Sequence, residues 1–272
     1  MALTIRNLPL PKMITGTPNC VVPLISRLYV CRDWAGFLAH HRSFRGSPLD
    51  TAPSSLFAKN FAALLFDMDG TLLNSMAVVE RVWGAWAVRN GLDPVEMMKT
   101  VHGVRAVDTI RTLELPGVDP EHEAHELALA EIADVEGIIE IEGAVAFLNS
   151  LPPEKWAIVT SAPLDLAVRR LAAAGIPTPK LMITGEDVSV GKPHPEGYLL
   201  AAEKLGVRPE DCIVFEDAPA GILAGKAAGA EVIVITGAHS AAADTPHLTL
   251  ARYNDIEAGI ADDGLLSLRH RR

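Results

Sequence analysis

The run Phe61 to Phe66, FAALLF, stops abruptly at Asp67, and Met68, Asp69, Gly70 and Thr71 follow. A short all-apolar run closed by a turn reads as a strand buried on both faces, the kind found inside a parallel sheet. Ligands of open α/β sheets bind at the carboxyl ends of such strands, which is where these aspartates fall. Gly70 supplies the backbone freedom for a tight exit from the strand. Two carboxylates this close repel unless a cation, a proton or phosphate-binding machinery accounts for them. A calcium loop also opens on alternating aspartates. Counted from Asp67, however, the glycine comes too early and Val78 stands where the closing Glu belongs.

The rest of the chain tells what kind of sheet this is. KWAIVT (155–160), KLMIT (180–184), CIVFED (212–217) and EVIVI (231–235) read as further strands. Helical segments are expected at 143–151, 163–175, 195–205 and 220–229, so strands and helices alternate. That rhythm means βαβ units and a parallel sheet, an α/β fold. Between the first strand and the second lies a purely helical stretch. Ser75 is a candidate N-cap, and Val78, Val79, Val82, Trp83, Trp86 and Ala87 recur at helical spacing until Gly91. Three more helices are expected from Asp93-Pro94, around Ala106–Leu113, and from Pro120 to Val135. Trp83 and Trp86 read as core residues rather than as a ligand platform.

Four strand-end features occur in order: Asp67/Asp69, Thr160/Ser161, Lys192 between Gly191 and Pro193, and Glu216/Asp217. Each alone has an ordinary structural explanation, such as helix capping or a helix N-terminus favoured by the dipole. At the carboxyl ends of parallel strands they converge on one crevice. The order D-x-D-G-T, T-S, G-K-P, E-D resembles the signature motifs of the haloacid dehalogenase-like superfamily, over residues 61–235. VHGVRAVDTI, PPEKWAIVTS, GKPHPEGYLLAAEKLG and FEDAPAGILAG further resemble its bacterial and yeast sugar-phosphate and polyol-phosphate phosphatases.

The resemblance implies a Rossmann-like parallel sheet core with a small inserted helical cap. It implies that Asp67 attacks phosphorus to form an aspartyl-phosphate, and that Asp69 is general acid and base. Mg2+ is implied as cofactor, held by Asp67, the Asp69 carbonyl and Asp217, with Glu216 a direct or outer ligand. Thr160, Ser161 and Lys192 are implied to hold and neutralise the phosphoryl oxygens. Asp69 sets the chain apart from the superfamily's dehalogenases, which lack an acid there. Ala218 stands where many relatives have Ser. In the cap, His102 and Arg105 are the candidates for touching the leaving group, with Asp108 and Glu80 weaker.

Bulk properties set limits on function. Net charge of −10 argues against a nucleic-acid partner. No apolar run is long enough to span a membrane. Cys20, Cys31 and Cys212 form neither a disulfide framework nor a C-x-x-C metal spacing, so reducing cytoplasm is the expected setting. Residues 1–60 differ from the rest, with seven Lys/Arg against two Asp/Glu, leaving 17 against 32 for the remainder. That acid-poor composition is shared with organelle transit peptides. The segment is read as a disordered extension or as translation from upstream of the natural start.

The expected organisation is an extension at 1–60, a core of 61–74 plus 141–264, a four-helix cap at 75–140, and a basic tail at 265–272. The expected partner is a small phosphate ester, and the expected state is a monomer. Two alternatives stand beside hydrolysis. A hexose-phosphate mutase would need cap bases to grip a second phosphate, and the insert has only Arg81, Arg89, Lys99, Arg105 and Arg111. A non-catalytic phospholigand-binding protein would have lost Asp67 or Asp69.

Overall fold

The computed structural model describes residues 56–239 and 245–271. Its centre is a parallel sheet of six strands: β2 (Ala63–Phe66), β5 (Trp156–Val159), β6 (Met182–Ile183), β7 (Cys212–Glu216), β8 (Glu231–Ile235) and β9 (Leu248–Leu250). Their spatial order is β6-β5-β2-β7-β8-β9. The chain leaves β2 toward one edge through β5 and β6, then returns to its other side through β7. That reversal opens a crevice at the carboxyl end of β2. An α/β fold with a Rossmann-like core was expected and is what forms.

Alternate residues of the strands face opposite ways and build two cores. Leu64, Phe66, Ile158, Ile213, Phe215 and Ile233 pack on one face with Leu166 and Leu171 of helix α6 (Leu164–Ala174) and with Phe147 of α5 (Ala144–Asn149). On that face the Phe66 and Phe215 rings stack with centroids 4.6 Å apart. Ala63, Leu65, Val159, Val214 and Val232 face the other way. They meet Tyr198 and Ala201 of α7 (Glu196–Leu205) and Ala224 of α8 (Pro219–Ala227). Strands buried on both sides lack polar alternation, which is why their sequences read as continuous apolar runs.

The helical insert comprises α1 (Met76–Arg89), α2 (Pro94–Met98), α3 (Ala106–Thr112) and α4 (Pro120–Ala133). The Asp93 and Asp119 side chains cap α2 and α4, each followed by a proline in the first turn. The insert has its own core of Val79, Trp83, Trp86, Met97, Val101, Ile110 and Leu127. Both tryptophans are buried there, and the Trp86 indole donates to Glu123 at 2.8 Å. The segments entering and leaving the insert, β3 (Leu73–Asn74) and β4 (Ile139–Glu140), pair antiparallel as a two-stranded ribbon.

The two ends of the described chain depart from expectation. Ala62 donates its N–H to the Asp211 carbonyl at 2.7 Å, which splits the expected strand 61–66. Phe61 therefore joins β1 (Asn60–Phe61), not the central sheet. The extension read as 1–60 falls outside the described residues up to 55, but Leu56 is already in the core. In the basic tail expected at 265–272, the described residues 265–271 are not frayed. Leu266–His270 is strand β11, antiparallel to β10 (Ile256–Ile260) and to β1. Leu266 and Leu268 alternate with Ser267 and Arg269, and both leucines are at most 1% exposed. Each such burial contributes roughly 1.5–3 kcal/mol. The basic side chains simply face solvent.

Candidate active site

Strand register assembles the site. Phe66 of β2 pairs with Ile158 of β5 and with Phe215 of β7. One residue further on, Asp67 is level with Val159 and Glu216, and Thr160 and Asp217 are the next steps. The features that are far apart in sequence are thus brought to one end of three adjacent strands. Lys192 arrives from the loop before α7. Its ammonium donates to Asp67 Oδ1 at 2.6 Å, to Glu216 Oε1 at 2.7 Å and to the Val159 carbonyl at 3.1 Å. Gly70 has φ +85°, and a Cβ there would overlap the Asp217 carboxylate. A side chain is excluded at that turn on both counts.

Charge is concentrated and poorly hydrated here. Burial drives the Asp67 carboxyl well above the usual carboxylate range; Lys192 opposes this, while Glu216 and Asp217 add to it. Burial also raises Asp217, against the pull of its bond to His239. For Lys192 burial works against the ammonium, yet Asp67 and Glu216 outweigh it and hold its pKa above the ordinary lysine value. The oxygens of Asp67, Glu216 and Asp217 lie within 4.8 Å of one another. Three carboxylates this close together, with Asp67 and Asp217 disfavoured in their ionised forms, fit a divalent cation, which would supply the missing positive charge.

Glu216 serves a different purpose from its neighbours. Its Oε1 accepts from Lys192 and from the Tyr198 hydroxyl (2.8 Å), and its Oε2 from the N–H groups of Asp217 (3.0 Å) and Ala218 (3.3 Å). With both oxygens committed and no exposed surface, it orients Lys192 and the Asp217 turn. A Cβ at Gly221 of α8 would overlap this carboxylate, so the helix can approach only as glycine.

A cleft of about 290 Å³ lies between this strand end and the helical insert. Asp67, Asp69, Thr160 and Ser161 line it from one side, and His102, Arg105 and Trp83 from the other. The Thr160 hydroxyl accepts from the Ala162 N–H at 3.1 Å, leaving its proton for an oxygen in the cleft. Ser161 donates to the Gly103 carbonyl of the insert at 3.0 Å. His102 is half-buried, and burial, with His239 nearby, lowers its pKa and favours the neutral ring. Arg105 is differently employed. Its guanidinium pairs with Asp108 at 2.6 Å and donates to the carbonyls of Val188 (3.0 Å), Ser189 (3.2 Å) and Gly185 (3.4 Å). It ties the insert to the loop that carries Lys192. Asp108 also pairs with Arg111, and Glu80 is exposed on α1.

Several site residues were not singled out from sequence. Asp69 Oδ1 accepts from the Ser75 hydroxyl at 2.6 Å, and its Oδ2 pairs with Arg170 at 2.9 Å. Asp217 meets Thr71 at 3.3 Å and His239 at 2.8 Å. Thr71 stood in the D-x-D-G-T run and Ser75 as a candidate N-cap, Arg170 left a signal as a cation inside the buried stripe Leu166, Ala167, Leu171 of α6, and His239 left none.

Comparison with known proteins identifies the family. Residues 61–229 match the family model described as haloacid dehalogenase-like hydrolase. The chain belongs to that family. Among curated relatives, hexitol phosphatase A of Escherichia coli is 44% identical over 189 residues, covering 68% of this chain and 85% of that protein. Glycerol-1-phosphate phosphohydrolase 2 of Saccharomyces cerevisiae is 38% identical, covering 69% and 78%. Among solved structures, a hydrolase from Pseudomonas syringae superimposes with a TM-score of 0.58 at 28% identity, covering 65% and 84%.

Proposed function

We propose that this protein hydrolyses small sugar or polyol phosphate monoesters through a phosphorylated Asp67. The observation that carries this reading is the Asp67 carboxylate held 2.6 Å from the Lys192 ammonium at the mouth of the cleft, with Asp69 beside it. In this reading Asp67 attacks phosphorus in line with the departing alkoxide, and Asp69 gives that alkoxide its proton. Asp69 then takes a proton from the water that cleaves the aspartyl-phosphate. Lys192, Thr160 and Ser161 hold the phosphoryl oxygens. Positioning and fixed charge supply most of the rate in such transfers.

Asp67, Asp217 and the Asp69 main-chain carbonyl are the groups proposed to hold Mg2+, with Glu216 behind them. Magnesium suits one or two carboxylates together with phosphate oxygens. When bound, the ion offsets the mutual repulsion of nucleophile and phosphate.

Curated relatives are named for hexitol phosphate chemistry, glycerol 1-phosphate and 2-deoxyglucose 6-phosphate, and a cleft of about 290 Å³ suits substrates of that size. The mutase alternative is disfavoured by the insert's cations. Arg81 pairs with Asp134, Arg89 with Glu123, Lys99 with Glu96, Arg105 with Asp108, and Arg111 with Asp108 and Glu121. None is left to grip a second phosphate. The helical insert is proposed to act as a cap that hinges on the β3–β4 ribbon, admitting water only for the second step. Cysteine usage supports a cytoplasmic setting, and the protein is proposed to act as a monomer. The test is a panel of sugar and polyol phosphates assayed with magnesium and after exhaustive chelation. Turnover of monophosphates that is silenced by chelation and restored by magnesium is expected. Full activity without a divalent cation, or phosphoryl transfer between sugar hydroxyls, contradicts the reading.

A further inference from the structure

Helix α6 packs on the sheet through Leu166, Ala167 and Leu171, and Arg170 occupies the same buried stripe. A guanidinium 4% exposed inside an apolar stripe is a poor choice for packing alone. Among the described residues its Nε–H has no hydrogen-bond partner, so they do not satisfy the whole group. The remaining nitrogens are spent on two carboxylates. Nη1 meets Asp69 Oδ2 at 2.9 Å, and Nη2 donates to Glu131 Oε1 at 2.9 Å. Glu131 comes from α4 of the insert and is itself buried. The second oxygen of Asp69 is held by Ser75, at the start of the insert.

We propose that Arg170 is a positioning residue for Asp69, and that Glu131 makes this positioning depend on how the helical insert is seated. The inference rests on the reading of Asp69 as acid and base. With Oδ1 fixed by Ser75 and Oδ2 by Arg170, the carboxyl group is turned to one orientation. Arg170 also lines the cleft, and in this reading it acts through Asp69 and not on the ester itself. When the P–O bond to the leaving group breaks, the electron pair stays on the ester oxygen and the Asp69 proton neutralises it. An aryl phosphate leaves as a stable phenolate and needs that proton far less than an alkyl phosphate does. In the phosphorylation step, misplacement of Asp69 therefore penalises alkyl esters selectively, whereas general loosening of the fold penalises both alike.

The experiment compares kcat/KM, which reports phosphorylation of Asp67 and not the hydrolysis step shared by all esters, for glycerol phosphate and for p-nitrophenyl phosphate in full-length wild type, Arg170→Met, Arg170→Lys, Glu131→Gln and Asp69→Asn. For Arg170→Met, kcat/KM for glycerol phosphate should fall about ten- to a hundredfold more than kcat/KM for the aryl ester. Arg170→Lys, which keeps the charge but not the fork, should recover part of that ratio. Glu131→Gln should shift the ratio the same way by a smaller factor, and it keeps the proposal testable if Arg170→Met does not fold. Equal losses of kcat/KM on both esters in folded Arg170 variants, while Asp69→Asn discriminates, overturn the positioning role and leave Asp69 as acid and base. If Asp69→Asn itself lowers kcat/KM for both esters equally, the acid role given to Asp69 falls and the inference falls with it.

Discussion

Glu131 shows how one buried residue reports on its setting. Burial pushes its carboxyl up to about 6 from an ordinary value of 4.5, against the pull of Arg170 and with the help of Asp69. A carboxyl raised in the folded state takes up a proton on folding between these two values. Its contribution is therefore fully present below pH 4.5 and is lost as pH rises through about 6. Glu131→Gln removes this dependence. The stability of the variant relative to wild type should be greatest above pH 6 and should decline by up to about 2 kcal/mol on acidification to pH 4.5. Denaturant midpoints measured at several pH values check this, and parallel curves for the two proteins would refute it. The aspartates, Thr160, Lys192 and Glu216 were legible in the sequence because their strand-end motifs are local. Arg170, Glu131 and His239 were not, since their partners lie 101, 39 and 22 positions away and carry no motif.

Elements divide the same way. Strands buried on both faces announced themselves as apolar runs, and the insert's helices by their spacing and Asp-Pro starts. Strand β11 was hidden because a basic run, Arg269 to Arg272, follows its two leucines directly, and a three-stranded antiparallel patch depends on residues near 60 and near 260 meeting. The link between α3 and the loop before Lys192 was equally invisible. Arg105, at the start of α3, was expected to touch the leaving group, and its guanidinium instead faces three backbone carbonyls of that loop. Arg105→Ala should therefore weaken the seating of the insert by about 1.5–3 kcal/mol. It should lower kcat/KM for hexose, pentose and glycerol phosphates by a common factor. His102→Ala, whose ring faces the cleft, should change their order of preference. A spread across substrates in the Arg105 variant would return that residue to the leaving group.

At the scale of the molecule, a parallel sheet with a reversal at β2 sets a carboxylate, an ammonium and an acidic cluster able to hold a cation at one strand end. An insert joined by a two-stranded ribbon covers them. The sheet class and crevice could be read from the alternation of strands and helices. The seating of the insert could not, because it depends on contacts such as Ser161 to Gly103, 58 positions apart. The central claim is that Asp67 carries the phosphoryl group between substrate and water. Its most direct test uses Asp69→Asn, supplied with magnesium and an aryl phosphate whose leaving group needs no acid. The first step should proceed and the second should stall, so acid-quenched protein should carry one phosphoryl group on the peptide containing Asp67. Continued turnover with no phosphorylated protein, or a phosphoryl group found on any residue other than Asp67, would contradict the account.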